Sequence, residues 1–265
     1  MDNLWPKNSF YDAVVVGAGI AGLYMLYKLR EVGLSCQVVE AGADLGGTWY
    51  WNRYPGARCD TYSMEYSYSF CSKLEQEWEW SERYPNQSEI LKYLNHVADR
   101  FELRSSIRFN TRLLAANFSE EKDQWNLDLD TGNQLICRFL LMATGCLSSP
   151  NIPQIPGFST FKGPIYHTSR WPQNEVCLSG QTVGVIGNGS SDVQIISELA
   201  KQAKKLIIFQ RTAQYAVPSG NCSLDSKEVE LIKSDYSGFR DRNRQQSSAQ
   251  LSGTKTSQRS ALSVS

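Results

Sequence analysis

Residues 11–22 read YDAVVVGAGIAG, an apolar run that ends in the spacing Gly17-x-Gly19-x-x-Gly22. The apolar residues before the first glycine predict a buried strand, and the residues after it, as far as Val32, predict a helix. In such a turn the first glycine permits the tight bend, the second lets a ligand approach the backbone, and the third lets helix and strand pack closely. The stretch therefore predicts the opening of an α/β nucleotide-binding unit.

The next predicted strand, at 37–40, ends in an acidic residue, Glu40. Strand, helix and strand in this order predict a parallel pair with a crossover helix, and hence an α/β fold. The helix N-terminus favours a pyrophosphate, and a carboxylate at the end of the second strand accepts hydrogen bonds from ribose hydroxyls. We therefore expect Gly17, Gly19 and Gly22 to hold a dinucleotide pyrophosphate and Glu40 to hold its ribose. The alternative is an ordinary glycine-rich turn.

The same order of elements recurs at 182–209, which predicts a second Rossmann-like unit. Its glycine-rich turn has Asp192 where the first turn has its third glycine, so a bulkier, negatively charged residue stands near the expected pyrophosphate. The residues of this turn that we expect to contact a second dinucleotide are Gly187, Gly189, Ser190 and Ser191.

The second unit also differs from the first at the end of its last strand, which carries Gln210, Arg211 and Thr212 and no acid. A guanidinium in place of a carboxylate suits a 2′-phosphate, so Arg211 and Thr212 predict a preference for NADPH. The alternative is that Arg211 is a solvated strand end. An acidic first site and a basic second site predict FAD followed by NADPH, the order found in two-dinucleotide flavoproteins.

Between the two units the pattern predicts a small β-meander inserted in the first. Strands are predicted at 107–118, 125–129, 134–139 and 140–143, after a helix capped by Ser88. We expect three segments: an FAD-binding domain over 1–148, an NADP-binding domain over 149–220 that begins with a Pro-rich linker at 149–180, and a polar, Ser-rich, disordered tail over 221–265.

Composition and charge argue against several other classes of protein. The 27 basic and 27 acidic residues cancel, so no nucleic-acid partner is expected. Residues 1–11 lack a secretory signal, and the longest apolar stretch, 13–27, is too short to span a bilayer. The seven cysteines show no C-x-x-C spacing and no close pair after the first glycine motif, which argues against thiol redox chemistry. We expect a cytoplasmic protein with no membrane partner and no metal site.

Two longer motifs give a specific family resemblance. Residues 161–172, FKGPIYHTSRWP, match the fingerprint F-x-G-x-x-x-H-x-x-x-W-P at every fixed position. Residues 46–60 match the signature [AG]-G-x-W-x-x-x-x-[FY]-P-[GM]-x-x-x-D, which ends at Asp60. Over roughly residues 11–218 the chain therefore resembles the Baeyer–Villiger monooxygenases, which are class B flavoprotein monooxygenases.

This resemblance implies FAD, NADPH and O₂ as reactants with a ketone, which is converted to an ester or lactone. It implies a catalytic role for Asp60, as the carboxylate beside the cofactor that pairs with an active-site arginine. The flavin-side residues that it implies are Gly47, Thr48, Trp49, Tyr50, Trp51, Tyr66 and Leu113. The fingerprint residues that it implies as a hinge between the domains are Phe161, Gly163, His167 and Trp171.

The resemblance covers only the N-terminal half of such enzymes, so we expect an incomplete FAD domain, no arginine partner for Asp60, and no ketone turnover by this chain alone. Two other functions stay open: an N- or S-oxygenating flavin monooxygenase, and a catalytically inactive dinucleotide-binding fragment. Simpler structural roles also stay open for single residues, because Trp49, Trp51 and Tyr54 could be core aromatics and His167 a structural histidine.

Overall fold

A computed structural model describes residues 9–245 of the 265-residue chain. Their contacts form two compact units, one of residues 9–57 and 86–217 and the other of residues 58–85 and 218–245. The first unit contains both glycine motifs. The boundary predicted after residue 148 lies inside this unit, so the separation into FAD-binding and NADP-binding domains stays a prediction. Among the described residues, no helix combines the length and apolar character that crossing a bilayer requires.

The chain alternates strands and helices as the sequence predicts. The strands are β1 (Ser9–Val16), β2 (Cys36–Val39), β3 (Ile107–Arg108), β4 (Leu113–Ser119), β5 (Gln124–Leu129), β6 (Gln134–Met142), β7 (Thr182–Ile186) and β8 (Lys205–Phe209). The helices are α1 (Ile20–Glu31), α2 (Thr48–Trp51), α3 (Ser72–Glu77), α4 (Gln87–Arg100), α5 (Ser190–Leu199), α6 (Ser226–Ser234) and α7 (Tyr236–Arg244).

The larger sheet of the first unit has the strand order β3-β2-β1-β6-β5-β4. Strands β3, β2, β1 and β6 are parallel, and β4, β5 and β6 form an antiparallel meander. Helix α1 connects β1 to β2. Its residues Leu23 and Leu26 are completely buried, and so are Val14 and Val15 of β1. The predicted α/β fold with an inserted meander is confirmed.

Two predicted strand boundaries are wrong, and backbone hydrogen bonds show why. The predicted strand at 107–118 is divided, because Asn110 has a positive φ of 51° and Thr111 donates to the carbonyl oxygen of Glu40 at 2.9 Å. The chain therefore turns between β3, which pairs with β2, and β4, which pairs with β5. The strands predicted at 134–139 and 140–143 are one strand, β6, which pairs with β5 on one side and β1 on the other.

Helix α4 is amphipathic as predicted, and it buries Ile90, Leu94 and Val97. Its cap is Asn86 and not the predicted Ser88, because the Asn86 side chain accepts the backbone N–H of Glu89 at 2.9 Å. Both residue types suit the N-cap position, and the start of the helix decides which of them occupies it.

The second strand–helix–strand prediction is also confirmed. Strands β7 and β8 are parallel and form a separate two-stranded sheet, with α5 between them in sequence. Ile195 and Leu199 of α5 pack on Val185 of β7 in one buried cluster. The backbone N–H of Gly187 donates to Phe209 at 3.0 Å, as the N–H of Gly17 donates to Val39 at 2.8 Å. The two glycine turns therefore share this hydrogen bond to the end of the neighbouring strand.

The second unit corrects the prediction of a disordered tail from residue 221. Its helices α6 and α7 bury Ile232, Tyr236 and Phe239, apolar residues that the high polar content of this segment conceals. The Arg240 guanidinium forms an ion pair with Glu75 of α3 at 3.2 Å, and both side chains are largely buried. Residues 246–265, which carry most of the predicted Ser-rich tail, lie outside the described residues.

Candidate functional site

The first glycine turn leaves no room for side chains at two of its three glycines. Gly17 has a φ of +104°, and a Cβ there would lie 2.5 Å from the carbonyl oxygen of Ala143. A Cβ at Gly22 would overlap the carbonyl oxygen of Gly17. The turn is thus closed on one side by Ala143, the residue after β6, and on another by the start of α1, which leaves its backbone as the surface that a ligand can approach. This cradle fits a pyrophosphate.

A second glycine pair lies against this turn. The N–H of Gly46 donates to the carbonyl oxygen of Ala18 at 3.0 Å, and a Cβ at Gly47 would be 2.8 Å from the Cα of Gly19. Gly47 also has a positive φ of 53°. The close approach of these two backbones places α2 directly beside the first turn. The start of the second signature, Gly46 and Gly47, is therefore part of the same site.

Glu40 is buried at the end of β2, with 5% of its surface exposed. One carboxylate oxygen accepts the N–H of Ala18 and the other accepts the N–H of Gly42, each at 2.7 Å. The sequence predicts a ribose contact here, and the structure adds a structural role, because Glu40 holds the turn between the glycines. Each oxygen has a second lone pair, so the carboxylate also fits ribose hydroxyls as donors.

The aromatic residues of α2 have different environments. Trp49 and Tyr50 are buried, with 7% and 8% of their surface exposed, which agrees with a core role. Trp51 is half-buried, and the Arg170 guanidinium lies 4.3 Å from the centre of its ring. Arg170 also donates to the backbone oxygens of Ser169 and Ser148, at 2.7 and 3.0 Å. This cation–π contact joins the fingerprint segment to α2.

The Tyr54-Pro55-Gly56 part of the second signature contacts helix α5. The Tyr54 hydroxyl donates to Oε1 of Gln194 at 2.9 Å, and burial raises the pKa of Tyr54, so its hydroxyl stays a donor at neutral pH. Gly56 has a φ of +82°, and a Cβ there would be 2.8 Å from the backbone oxygen of Gln194. Trp171 of the fingerprint packs on the same buried cluster as Tyr54. Both signatures therefore meet the helix that follows the second glycine turn.

Within the fingerprint, His167 caps a short 3-10 turn at Thr168–Arg170. Its Nδ1 accepts the backbone N–H of Ser169 at 3.2 Å, and its Nε2 lies 3.4 Å from the backbone oxygen of Asn151. Gly163 lies against the ring of Phe161, which is itself 63% exposed. The contacts of His167 are those of a residue that fixes a backbone turn.

The second glycine turn contains its own carboxylate. Gly187 has a φ of +124°, and a Cβ there would collide with the side chain of Asp192. Oδ2 of Asp192 accepts the N–H of Gly189, the N-cap residue of α5, at 2.9 Å. Ser190 and Ser191 are the first residues of this helix. The backbone at Gly187 and Gly189 fits a pyrophosphate, but a negative charge lies beside it.

Beside this turn, a neutral amide pair replaces the contact between Glu40 and Ala18. Asn188 donates from Nδ2 to Oε1 of Gln210 at 3.2 Å and to the backbone oxygen of Thr212 at 2.8 Å. Arg211, between these two residues, is exposed and has no hydrogen bond or ion pair with any described residue. The strand end is therefore tied to the glycine turn and leaves the guanidinium available for an anion.

Three predicted site residues lie away from these turns in sequence. Leu113, in the first unit, is half-buried and packs on the cluster that contains Val39, the residue before Glu40. Asp60 and Tyr66 belong to the second unit. Asp60 is exposed and forms no ion pair with a described residue, and the N–H of Tyr66 donates to Tyr62 at 2.9 Å. Their contact with a cofactor stays a prediction.

Comparison with known proteins now identifies the family. The sequence profile of the flavin-binding monooxygenase-like family matches residues 12–221. The chain is a member of the flavin-binding monooxygenase-like family. A Baeyer–Villiger monooxygenase from Pseudooceanicola batsensis is 44% identical over 89% of this chain, and cyclohexanone 1,2-monooxygenase from Acinetobacter sp. is 44% identical over 85% of it. The resemblance read from the fingerprint is confirmed.

Two further proteins extend the comparison. A phenazine N-monooxygenase from Lysobacter antibioticus is 44% identical over 85% of this chain. A steroid monooxygenase solved in complex with NADP superposes with a TM-score of 0.86, at 51% identity over 89% of this chain. The chain spans 42% to 43% of the length of the three curated relatives and 45% of the solved structure.

Proposed function

We propose that this protein is an FAD- and NADPH-dependent monooxygenase that inserts one oxygen atom of O₂ next to a ketone carbonyl to give an ester or lactone. The observation that carries the proposal is that the two family signatures contact the first glycine turn and helix α5, which follows the second glycine turn. Gly47 lies against Gly19, Arg170 stacks on Trp51, and Trp171 shares a buried cluster with Tyr54. Relatives named for ketone oxygenation support the substrate class.

The first site is proposed to bind FAD. The bound flavin would supply the chemistry with O₂. Gly17, Gly19 and Gly22 hold the pyrophosphate and Glu40 the ribose. The flavin side is assigned to α2, from Thr48 to Trp51, together with Gly47, Leu113 and Tyr66. Asp60 is proposed to be the carboxylate that pairs with an active-site arginine.

The second site is proposed to bind NADPH through Gly187, Gly189, Ser190 and Ser191, with Arg211 and Thr212 at the 2′-phosphate. The support is the absence of a carboxylate at the end of β8, where the neutral Gln210 contacts Asn188. Phe161, Gly163, His167 and Trp171 are proposed to connect coenzyme binding to the flavin side, because the fingerprint contacts both α2 and the cluster below α5.

The test combines cofactor binding with product analysis. The purified protein is incubated with FAD, freed of excess flavin, and supplied with NADPH, O₂ and cyclohexanone. Formation of the lactone, with NADPH consumption that matches the product, supports the proposal. Because this chain alone is expected not to turn over ketones, flavin retention with NADPH oxidation but without lactone agrees with the proposal, whereas the absence of both flavin retention and NADPH oxidation contradicts it.

N-oxygenation is the second candidate, because the phenazine N-monooxygenase is as similar to this chain as cyclohexanone monooxygenase is. A parallel reaction with phenazine separates the two, since an N-oxide without lactone would favour the second candidate. Binding of both dinucleotides with turnover of neither substrate would favour the third function left open by the sequence, a non-catalytic dinucleotide-binding protein.

Arg211→Ala is expected to weaken NADP⁺ binding about tenfold or more and to leave NAD⁺ binding unchanged, because a charge-assisted contact to the 2′-phosphate is lost. Dissociation constants for both nucleotides, measured by titration calorimetry, check this. Lys205→Ala is the matched control, since it removes a cation at the opposite end of the same strand. Equal losses for the two nucleotides would contradict the assignment of Arg211.

His167→Ala is expected to lower the melting temperature by about 2–4 °C, the effect of losing one turn-capping hydrogen bond of about 1 kcal/mol. His167→Asn keeps an acceptor near the N–H of Ser169 and is expected to recover most of this loss. Thermal unfolding of both variants checks the capping role. Proton transfer by His167 would instead remove one ionisation from the pH–rate profile in both variants alike.

A further inference from the structure

The Asp192 carboxylate folds back onto the glycine turn of the second site. Its Oδ2 accepts the N–H of Gly189 at 2.9 Å and lies so close to Gly187 that a Cβ on Gly187 would collide with it. At the matching position of the first turn, Gly22 has no side chain, and the backbone of Gly17 occupies the space. The two turns therefore differ in an anion that is part of the second one.

The acidic residue lies at opposite places in the two sites. In the first site the negative charge comes from Glu40 at the strand end, and the helix start has no acidic residue in its first turn. In the second site the strand end is neutral or positive, at Gln210 and Arg211, and the acidic residue of the first helical turn is Asp192. The carboxylate thus lies at the pyrophosphate end of the second site.

The electrostatics of this arrangement work in two directions. Backbone N–H groups and the dipole at a helix N-terminus attract anions, and a carboxylate in the first turn is stabilised by them. The same carboxylate repels any other anion that binds at the turn, and it occupies the N–H of Gly189 as its hydrogen-bond donor. The hydrogen bond shapes the turn, while the charge opposes a pyrophosphate.

We propose that Asp192 sets the coenzyme affinity of the second site: its hydrogen bond to Gly189 holds the turn in a binding-competent shape, and its charge weakens the binding of the pyrophosphate. This inference rests on the proposed NADPH site. It assigns a function to Asp192, which stands where the glycine pattern has its third glycine. It predicts that removing the charge while keeping the hydrogen-bond acceptor strengthens coenzyme binding without destabilising the turn.

Asp192→Asn removes the charge and keeps an oxygen that accepts the N–H of Gly189. It is expected to bind NADP⁺ about fivefold more tightly at low salt, the fold-change of one like-charge contact in a high-dielectric environment. The gain shrinks as salt rises, because salt screens the repulsion. Asp192→Ala also loses the acceptor, so its melting temperature falls by about 2–4 °C.

The experiment is NADP⁺ titration calorimetry of the FAD-loaded protein at two ionic strengths, with thermal unfolding of each variant. Glu198→Gln is the control, because it removes a negative charge from the C-terminal end of the same helix, where Glu198 pairs with Lys201 at 2.8 Å. This control is expected to leave NADP⁺ affinity unchanged.

The outcomes separate this inference from the proposed function. The inference is supported if Asp192→Asn, and not Glu198→Gln, binds NADP⁺ more tightly and if this gain shrinks as salt rises. The same result supports it when the native protein binds NADP⁺ too weakly to measure. Equal or weaker NADP⁺ binding by Asp192→Asn, beside measurable binding by the native protein, overturns the inference and keeps the NADPH site. Absence of NADP⁺ binding by every variant overturns both.

Discussion

Gly22→Ala is expected to abolish FAD retention and to lower the free energy of unfolding by about 3 kcal/mol, the upper range for overpacking a close-packed interior. The added Cβ would overlap the carbonyl oxygen of Gly17. Neither atom belongs to a flexible side chain, so α1 or the turn must move. A movement of either changes the backbone that forms the pyrophosphate cradle. Flavin absorbance after gel filtration and denaturant unfolding measure the two effects.

Gly19→Ala is the matched control, because it adds the same methyl group three residues earlier. Its Cβ would lie 3.4 Å from the Cα of Gly47, which is ordinary contact, and Gly19 has a φ of −80° that alanine adopts readily. We expect this variant to fold with nearly native stability and to bind FAD more weakly, because the methyl group occupies the ligand-facing side of the turn. Native stability and full flavin content in Gly22→Ala would contradict the assignment of its role.

The parts of the fold that local patterns specify were predictable from the sequence. The apolar run, the glycine spacing and the following helix lie within one stretch of chain, so β1, α1 and their repetition in β7 and α5 followed directly. The division between β3 and β4 did not, because the turn at Asn110 depends on backbone hydrogen bonds to the end of β2, distant in sequence. Periodicity does not report such partners.

Helices α6 and α7 show a different limit. The segment has few large apolar residues, and its average composition indicates a solvated chain. Three of those residues, Ile232 of α6 and Tyr236 and Phe239 of α7, are nevertheless buried. Arg240, which composition counts as polar, is largely buried because Glu75 and the backbone oxygen of Glu65 accept from it. The spacing of Tyr236 and Phe239, three residues apart, is that of one helix face, whereas composition conceals it.

The candidate site was predictable where chemistry is carried by a motif, and not where it depends on pairs distant in sequence. The glycines and Glu40 have a required spacing, and both signatures are recognisable as patterns. The stacking of Arg170 on Trp51 joins residues that no local pattern connects. The hydrogen bond between Asn188 and Gln210 also joins residues distant in sequence. The sequence did carry a signal for it, because one amide lies in the glycine turn and the other at the end of the following strand.

Glu40→Ala is expected to reduce the free energy of unfolding by about 3 kcal/mol or more, since two buried hydrogen bonds to a charged group are lost and each contributes about 1.5–3 kcal/mol. The N–H groups of Ala18 and Gly42 would keep no acceptor in a site where Glu40 is only 5% exposed. FAD binding should fall with the stability, because the turn that receives the pyrophosphate is the turn that Glu40 holds. Denaturant unfolding and flavin content measure both losses.

Glu40→Gln separates the structural role of the carboxylate from its proposed role at the ribose. The amide keeps one oxygen acceptor and turns an NH₂ group toward the other N–H, so about half of the stability loss is expected. Gln210→Ala is the control in the second site, because its exposed amide contact to Asn188 carries no charge and its loss should be small. Titration with ADP, which contains the ribose and pyrophosphate but no flavin, tests the ribose contact. If Glu40→Gln binds ADP as tightly as the native protein, Glu40 only supports the turn, and the ribose assignment is wrong.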